Sequence, residues 1–147
     1  MRCYWLKLAG TAAHPFDDGD WAARRHAWHE EYGDVSMFPR VPSVEAGDRL
    51  IEYAVGSHRF FGEGRVFAVS EATSDPEPSP HERWPVQVRT RTLVAGPRFE
   101  YCPDIGEIGV MRRSLGRHSH IRLTGEQGER AEELIRAAAA EFGALAV

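Results

Sequence analysis

Two apolar segments divided by a polar and aromatic insert, within the stretch Gly47 to Pro78, constrain this chain more than any other feature. Leu50, Ile51, Tyr53 and Val55 read as one strand. Gly64, Val66, Phe67, Ala68 and Val69 read as a second, closed by a turn at Asp75-Pro76. A connector that only reversed the chain would be short and rich in Asn or Gly. The connector here carries Ser57-His58-Arg59-Phe60-Phe61, a hydroxyl, an imidazole and a guanidinium followed by two aromatic rings. Such a set suits a flat, polar ligand.

A period of two marks other segments of the chain. Residues 2 to 8 read as a strand with Trp5 and Lys7 on one face and Tyr4, Leu6 and Leu8 on the other. Further strands are expected at about 49 to 55 and 59 to 70. From Trp84 to Val94, Val86, Val88, Thr90 and Thr92 alternate with Gln87, Arg89, Arg91 and Leu93. From Arg117 to Leu123, His118, His120 and Arg122 share a side. The segments Asp34 to Ala46 and Glu71 to Arg83 show no clean period and read as loops, and Tyr101 to Gly109 as a short helical turn.

Two helices complete the pattern. Asp17, Asp18 and Asp20 offer capping oxygens ahead of a helix from Trp21 to Tyr32, which Gly33 ends. Thr124 and Gln127 form a capping box, and Ala131, Leu134, Ile135, Ala138 and Phe142 then make an apolar stripe that needs a sheet to cover. The expectation is an α+β chain, a small mixed β-barrel of about five to six strands flanked by helices, with residues 1 to 147 as one domain.

The ordered pieces resemble the EVE domains of the PUA-like superfamily. The resemblance is carried by Tyr4-Trp5-Leu6-Lys7, Gly47-Asp48-Arg49-Leu50, Gly62-Glu63-Gly64-Arg65-Val66, Asp75-Pro76, Trp84-Pro85-Val86-Gln87-Val88-Arg89 and the basic segment Arg113 to Ser119 before the last helix. In place of the family's Trp-Gly-Val-Arg-Asn type signature stands Phe38-Pro39-Arg40. The resemblance implies a cleft for a modified or flipped nucleobase near Trp5, Tyr53 and Trp84. It also implies an alternative, because ASCH-like cousins of the fold include small amidohydrolases that act on acylated cytidine through a strand lysine with a nearby acid and hydroxyl.

Composition narrows the functional classes. The net charge of −4 argues against a general polyanion coat, yet Arg112, Arg113, Arg117 and Arg122 crowd into one late segment. No apolar run approaches the roughly 20 residues that span a bilayer, and Lys7 interrupts the N-terminal apolar stretch, which reads as a strand and not as a signal peptide. Cys3 and Cys102 have neither disulfide-framework nor metal-ligand spacing, which fits reduced thiols and a cytoplasmic setting. The pairs His26 with His29 and His118 with His120 lack a third ligand in register, so no metal and no cofactor is expected. Nucleophile elbows, phosphate-binding loops and Cys/His pairs are absent from the sequence.

The expected activity is therefore binding of a nucleic acid or a modified nucleobase, without chemistry. Trp5, Tyr53 and Trp84 would form the walls, Ser57, His58 and Ser119 the polar readers, and Arg59, Arg113 and Arg117 the phosphate contacts. Lys7, the only lysine, has no acid nearer in its own strand than Asp17 and Asp18, so its ammonium is expected to stay charged and to grip a phosphate or a carbonyl. The alternatives are an amidohydrolase that acts on a modified nucleoside through Lys7, and a protein-interaction module with no ligand.

Overall fold

The alternating segments become strands of one continuous sheet. In the computed structural model residues 2–9, 30, 32–55, 64–111, 115 and 118–144 are described. The strands are β1 (Tyr4–Ala9), β2 (Val35–Phe38), β3 (Arg49–Ala54), β4 (Arg65–Ala72), β5 (Glu77–Pro78), β6 (Val86–Ala95) and β7 (His120–Leu123). Single 3₁₀ turns at Phe99–Tyr101 and Ile105–Ile108 and one long helix, α1 (Gly125–Phe142), complete the described part. The expected helix from Trp21 falls almost wholly outside the described residues.

The strands form a 7-stranded sheet in the order β2-β6-β4-β3-β1-β7, with β5 beside β6. Among the described strands only β1 and β3 run parallel; the other pairs are antiparallel. The sheet curls, because Phe38 on β2 and His120 on β7, the two ends of the strand order, have ring centroids 5.0 Å apart. The α+β class with a mixed, curled sheet therefore holds, as a half-barrel with more strands than expected.

Two segments read as loops are corrected. Asp34 to Ala46 contains β2, whose residues pair with Val86 to Arg89. Glu71 and Ala72 extend β4, and Glu77–Pro78 is a two-residue strand against the same part of β6. β4 covers one edge of β6 only from Thr90 to Ala95 and leaves the rest of that edge to β5, while β2 pairs with the backbone groups of the opposite edge. Segments of two and four residues are too short to show a period of their own, and the neighbouring strand organises them.

Alternation divides most of the core into two layers, and Ala54, Phe67, Ala68, Phe99 and Cys102 form a third, smaller cluster. Tyr4, Leu6, Ile51, Tyr53, Val66 and Val69 meet Ala131 and Ile135 of α1 on the convex face. Trp5, Phe38, Val44, Leu50, Ala72 and Val88 pack together on the other, concave face. The helix begins as its sequence dictates: Thr124 and Gln127 cap one another, each side chain bonded to the other's backbone N–H. An ion pair between Arg49 of β3 and Glu132 pins the helix to the sheet. Phe142, the last residue of the apolar stripe, is half exposed and stacks on Tyr101 at 4.4 Å. Neither cysteine is in a disulfide; Cys3 is half-buried and Cys102 buried.

Gly128 sets how closely the helix can approach. A Cβ at this position would lie 2.0 Å from Cγ and 2.5 Å from Cβ of Tyr4. Gly128→Ala gains about 1 kcal/mol of helix propensity but must push the helix off β1, an overpacking cost of about 1–3 kcal/mol or more. Denaturant unfolding is expected to show net destabilisation; a more stable variant would mean that the helix is not seated on Tyr4.

Candidate ligand site on the concave face

β1 lies between β3 and β7, and two registers meet at Lys7. It stands opposite Glu52 in the parallel pairing and opposite His120 in the antiparallel one. Matched positions in neighbouring strands project to the same face, so Lys7, Glu52 and His120 share the concave side with Trp5 and Leu50. Phe38, the last residue of β2, comes across the curl to meet them. The Lys7 Nζ lies 4.7 Å from the centroid of the Phe38 ring and 5.8 Å from that of Trp84, within the range of cation–π attraction. His120 meets Phe38 edge-on and lies 5.6 Å from the Trp5 ring.

The electrostatics follow from enclosure. The Lys7 residue as a whole is only half-buried, but its ammonium end is well enclosed. Burial pushes its pKa from 10.5 down to about 8, against the opposing pull of the Glu52 carboxylate. Among the described residues no hydrogen bond or ion pair holds the ammonium; its close neighbours are the ring faces. His120 is held below the ordinary histidine range, first by burial, then by the Lys7 charge and by His118. It is therefore neutral at pH 7, and its Nδ1 lies 2.7 Å from the Ser119 hydroxyl. Which of the two donates is set by the imidazole tautomer.

The residues expected at the site are distributed as follows. Lys7, Trp84 and Ser119 gather around Phe38 and His120. Trp5 backs the site and does not flank an opening: it is 7% exposed, and its indole N–H donates to Asp48 Oδ2 at 3.0 Å. Tyr53 is corrected. It is 1% exposed and packs in the convex core, in register with Leu8. One step along a strand turns a side chain to the opposite face, so Tyr53 cannot share a cleft with its neighbour Glu52. The expectation that Lys7 lacks an acid is also corrected, since Glu52 faces it from β3 although the two are remote in sequence. Ser57, His58, Arg59, Arg113 and Arg117 lie outside the described residues, as do His26 and His29.

Phe38, Glu52 and His120 are the site residues that the pattern alone did not single out as such. Phe38 stood in the Phe38-Pro39-Arg40 segment that replaces a family signature, and His120 on an alternating strand. Glu52 carried no signal beyond its place between Ile51 and Tyr53. Among the described residues no three His, Cys, Asp or Glu side chains gather closely enough to hold a metal ion, and no helix is long and apolar enough to cross a membrane.

Three solved structures are similar over nearly their full length. One is a hypothetical protein from Leishmania major, with TM-score 0.50 and 16% identity over 96% of this chain and 97% of that one. Another is an NMR structure from Rhodopseudomonas palustris, with TM-score 0.49 and 14% identity over 94% of each chain. The third is a crystal structure from Pseudomonas syringae, with TM-score 0.48 and 15% identity over 89% of this chain and 98% of that one. No protein-family model and no curated protein matches the chain. The Leishmania likeness bears on the fold alone.

Two measurements test this geometry. The unfolded chain keeps the lysine proton up to pH 10.5, whereas the folded one releases it near pH 8, so the stability of the wild type should rise with pH between those values. Lys7→Met removes the buried charge and should be more stable at pH 7 by about 1–3 kcal/mol, with no such rise above pH 8. Equal pH profiles for the two proteins would mean that the amine is solvated. Trp5→Ala should cost about 3–5 kcal/mol in urea unfolding, while Trp84→Ala, at a half-buried position, should cost about 1 kcal/mol.

Proposed function

We propose that the concave face binds a nucleobase, in particular a modified one, in the manner of the EVE and PUA-like barrels that the sequence resembles. The observation that carries the reading is the Lys7 ammonium, enclosed by Phe38 and Trp84 without a hydrogen-bond acceptor among the described residues. An ammonium has three donors, and partly desolvating them against ring faces is costly unless an acceptor is supplied. A base supplies what is missing, a carbonyl or ring-nitrogen acceptor for the amine and a π-face for the rings. His120 and Ser119 offer a second polar edge at the same place. Arg59, Arg113 and Arg117 remain the proposed phosphate contacts, on sequence grounds, for a base carried in a nucleic acid.

A panel of modified nucleosides and short oligonucleotides, screened by thermal shift, tests the reading. Trp84→Ala is expected to weaken binding about 10- to 100-fold, in line with stacking of about 1–3 kcal/mol per base. Lys7→Met should lose binding while gaining stability, a combination that damage to the fold cannot produce. With an oligonucleotide, affinity should fall as salt rises, and Arg117→Ala should flatten that slope by about one unit. Retained affinity in both site variants would move the ligand elsewhere.

One observation favours a second reading, a small amidohydrolase acting on a modified nucleoside. Glu52 faces Lys7 across the β1–β3 register, and a carboxylate on the same face as an amine of lowered pKa can exchange a proton with it through a water. Hydrolysis of an N-acylated cytidine by the wild type, lost in Lys7→Arg, would decide for the enzyme.

A further inference from the structure

Lys7 is the only lysine in the chain, and it stands at the one place where β1, β3 and β7 bring an amine, a carboxylate and an imidazole to the same face. A lysine kept for structure ends in an ion pair or in solvent. This one ends against the faces of Phe38 and Trp84. We infer that Lys7 is a carbonyl-capturing amine, which condenses with an aldehyde carried on a flat ring to form an imine. The ligand class rests on the nucleobase reading above: the rings hold the planar part of the ligand and bring its substituent to Nζ.

The chemistry balances without an oxidant or reductant. Glu52, which faces the amine from β3, accepts a proton from the ammonium through a bridging water, and the freed lone pair attacks the carbonyl carbon. A C–N bond forms while the carbonyl π pair moves to oxygen, which takes a proton from the now cationic nitrogen to give a carbinolamine. The hydroxyl then leaves as water, protonated by the Glu52 carboxylic acid, as the nitrogen lone pair closes the C=N bond and the remaining N–H proton is lost. The sum is ammonium plus aldehyde giving imine, water and one proton released to solvent. Burial supports the first step, since an amine with a pKa of about 8 is neutral to about one part in ten at pH 7, against about one in three thousand for a solvated lysine. Glu52 on β3 and His120 on β7 are the titratable groups that face it from the flanking strands, the first raising and the second, when protonated, lowering its pKa.

The test uses the full chain with a formylpyrimidine, followed by borohydride reduction and peptide mass spectrometry. In parallel, reversible binding of the hydroxymethylpyrimidine of the same ring is measured by calorimetry. The wild type is expected to carry the reduced adduct on the peptide containing Lys7, at a rate at least about tenfold above that for cyclohexanecarbaldehyde, and with a pH midpoint near 8. Lys7→Met, which is expected to fold, should carry none there, and Trp84→Ala should slow capture about tenfold. If the hydroxymethyl compound binds and no adduct forms at Lys7, the capture is wrong and the base site stands. If neither compound binds or reacts, the base site fails and the capture with it. An adduct formed equally fast with the saturated aldehyde would mark a merely accessible amine and overturn the inference.

Discussion

The Asp48 carboxylate is the constraint on which the remaining arrangement depends. It is 4% exposed and accepts three N–H groups, from the Cys3 backbone, the Trp5 indole and the Glu45 backbone, each at 3.0 Å. A buried carboxylate is tolerable only when its oxygens are met in this way. The effect is to tie the start of β1 to the start of β3, next to the bond from Arg49 N–H to the Cys3 carbonyl. Gly47, at φ 95°, makes the turn that presents Asp48, and its N–H bonds to the Ala72 carbonyl. Parallel strands have no tight hairpin to set their register, and here a side chain helps to set it.

That register decides the chemistry of the molecule. With Trp5 beside Leu50, Lys7 falls beside Glu52 and shares the concave face with His120. A slip of one residue would turn Lys7 into the apolar layer under α1 and turn Leu6 or Leu8 outward. The helix reinforces the choice from the other side, because Gly128 admits Tyr4 and the Arg49–Glu132 pair holds β3 to α1. One face of the sheet is thereby packed under α1, and Lys7, Glu52 and His120 are left on the other with the rings of Trp5 and Phe38.

Stability and site pull in opposite directions at Lys7. Enclosing an ammonium between rings lowers its pKa, which is the same statement as a cost to folding at neutral pH. Attraction to the Phe38 and Trp84 faces and to the Glu52 charge returns part of that cost. Groups held in this condition are concentrated where proteins bind or react, and the neutral His120 beside it fits the same logic of desolvation.

Local chemistry was legible in the order of the residues. Alternation marked β1, β6 and β7, because each has to satisfy two faces with a period of two, and apolar runs bounded by turn residues marked β3 and β4. The Thr124 and Gln127 cap marked the start of α1, because capping uses only groups within one turn. Lys7 stood out as a lone lysine beside Trp5 on a strand, and that much needed no fold. What tertiary structure alone decided is which strangers became neighbours. β2 exists because β6 offers it hydrogen bonds; Phe38 replaces Tyr53 at the site because the two occupy opposite layers; Glu52 meets Lys7 because β1 and β3 pair in one register. Each of these is a contact between segments far apart in the chain, whose partners follow from burial and hydrogen bonding across the whole sheet, and no local pattern of residues encodes them.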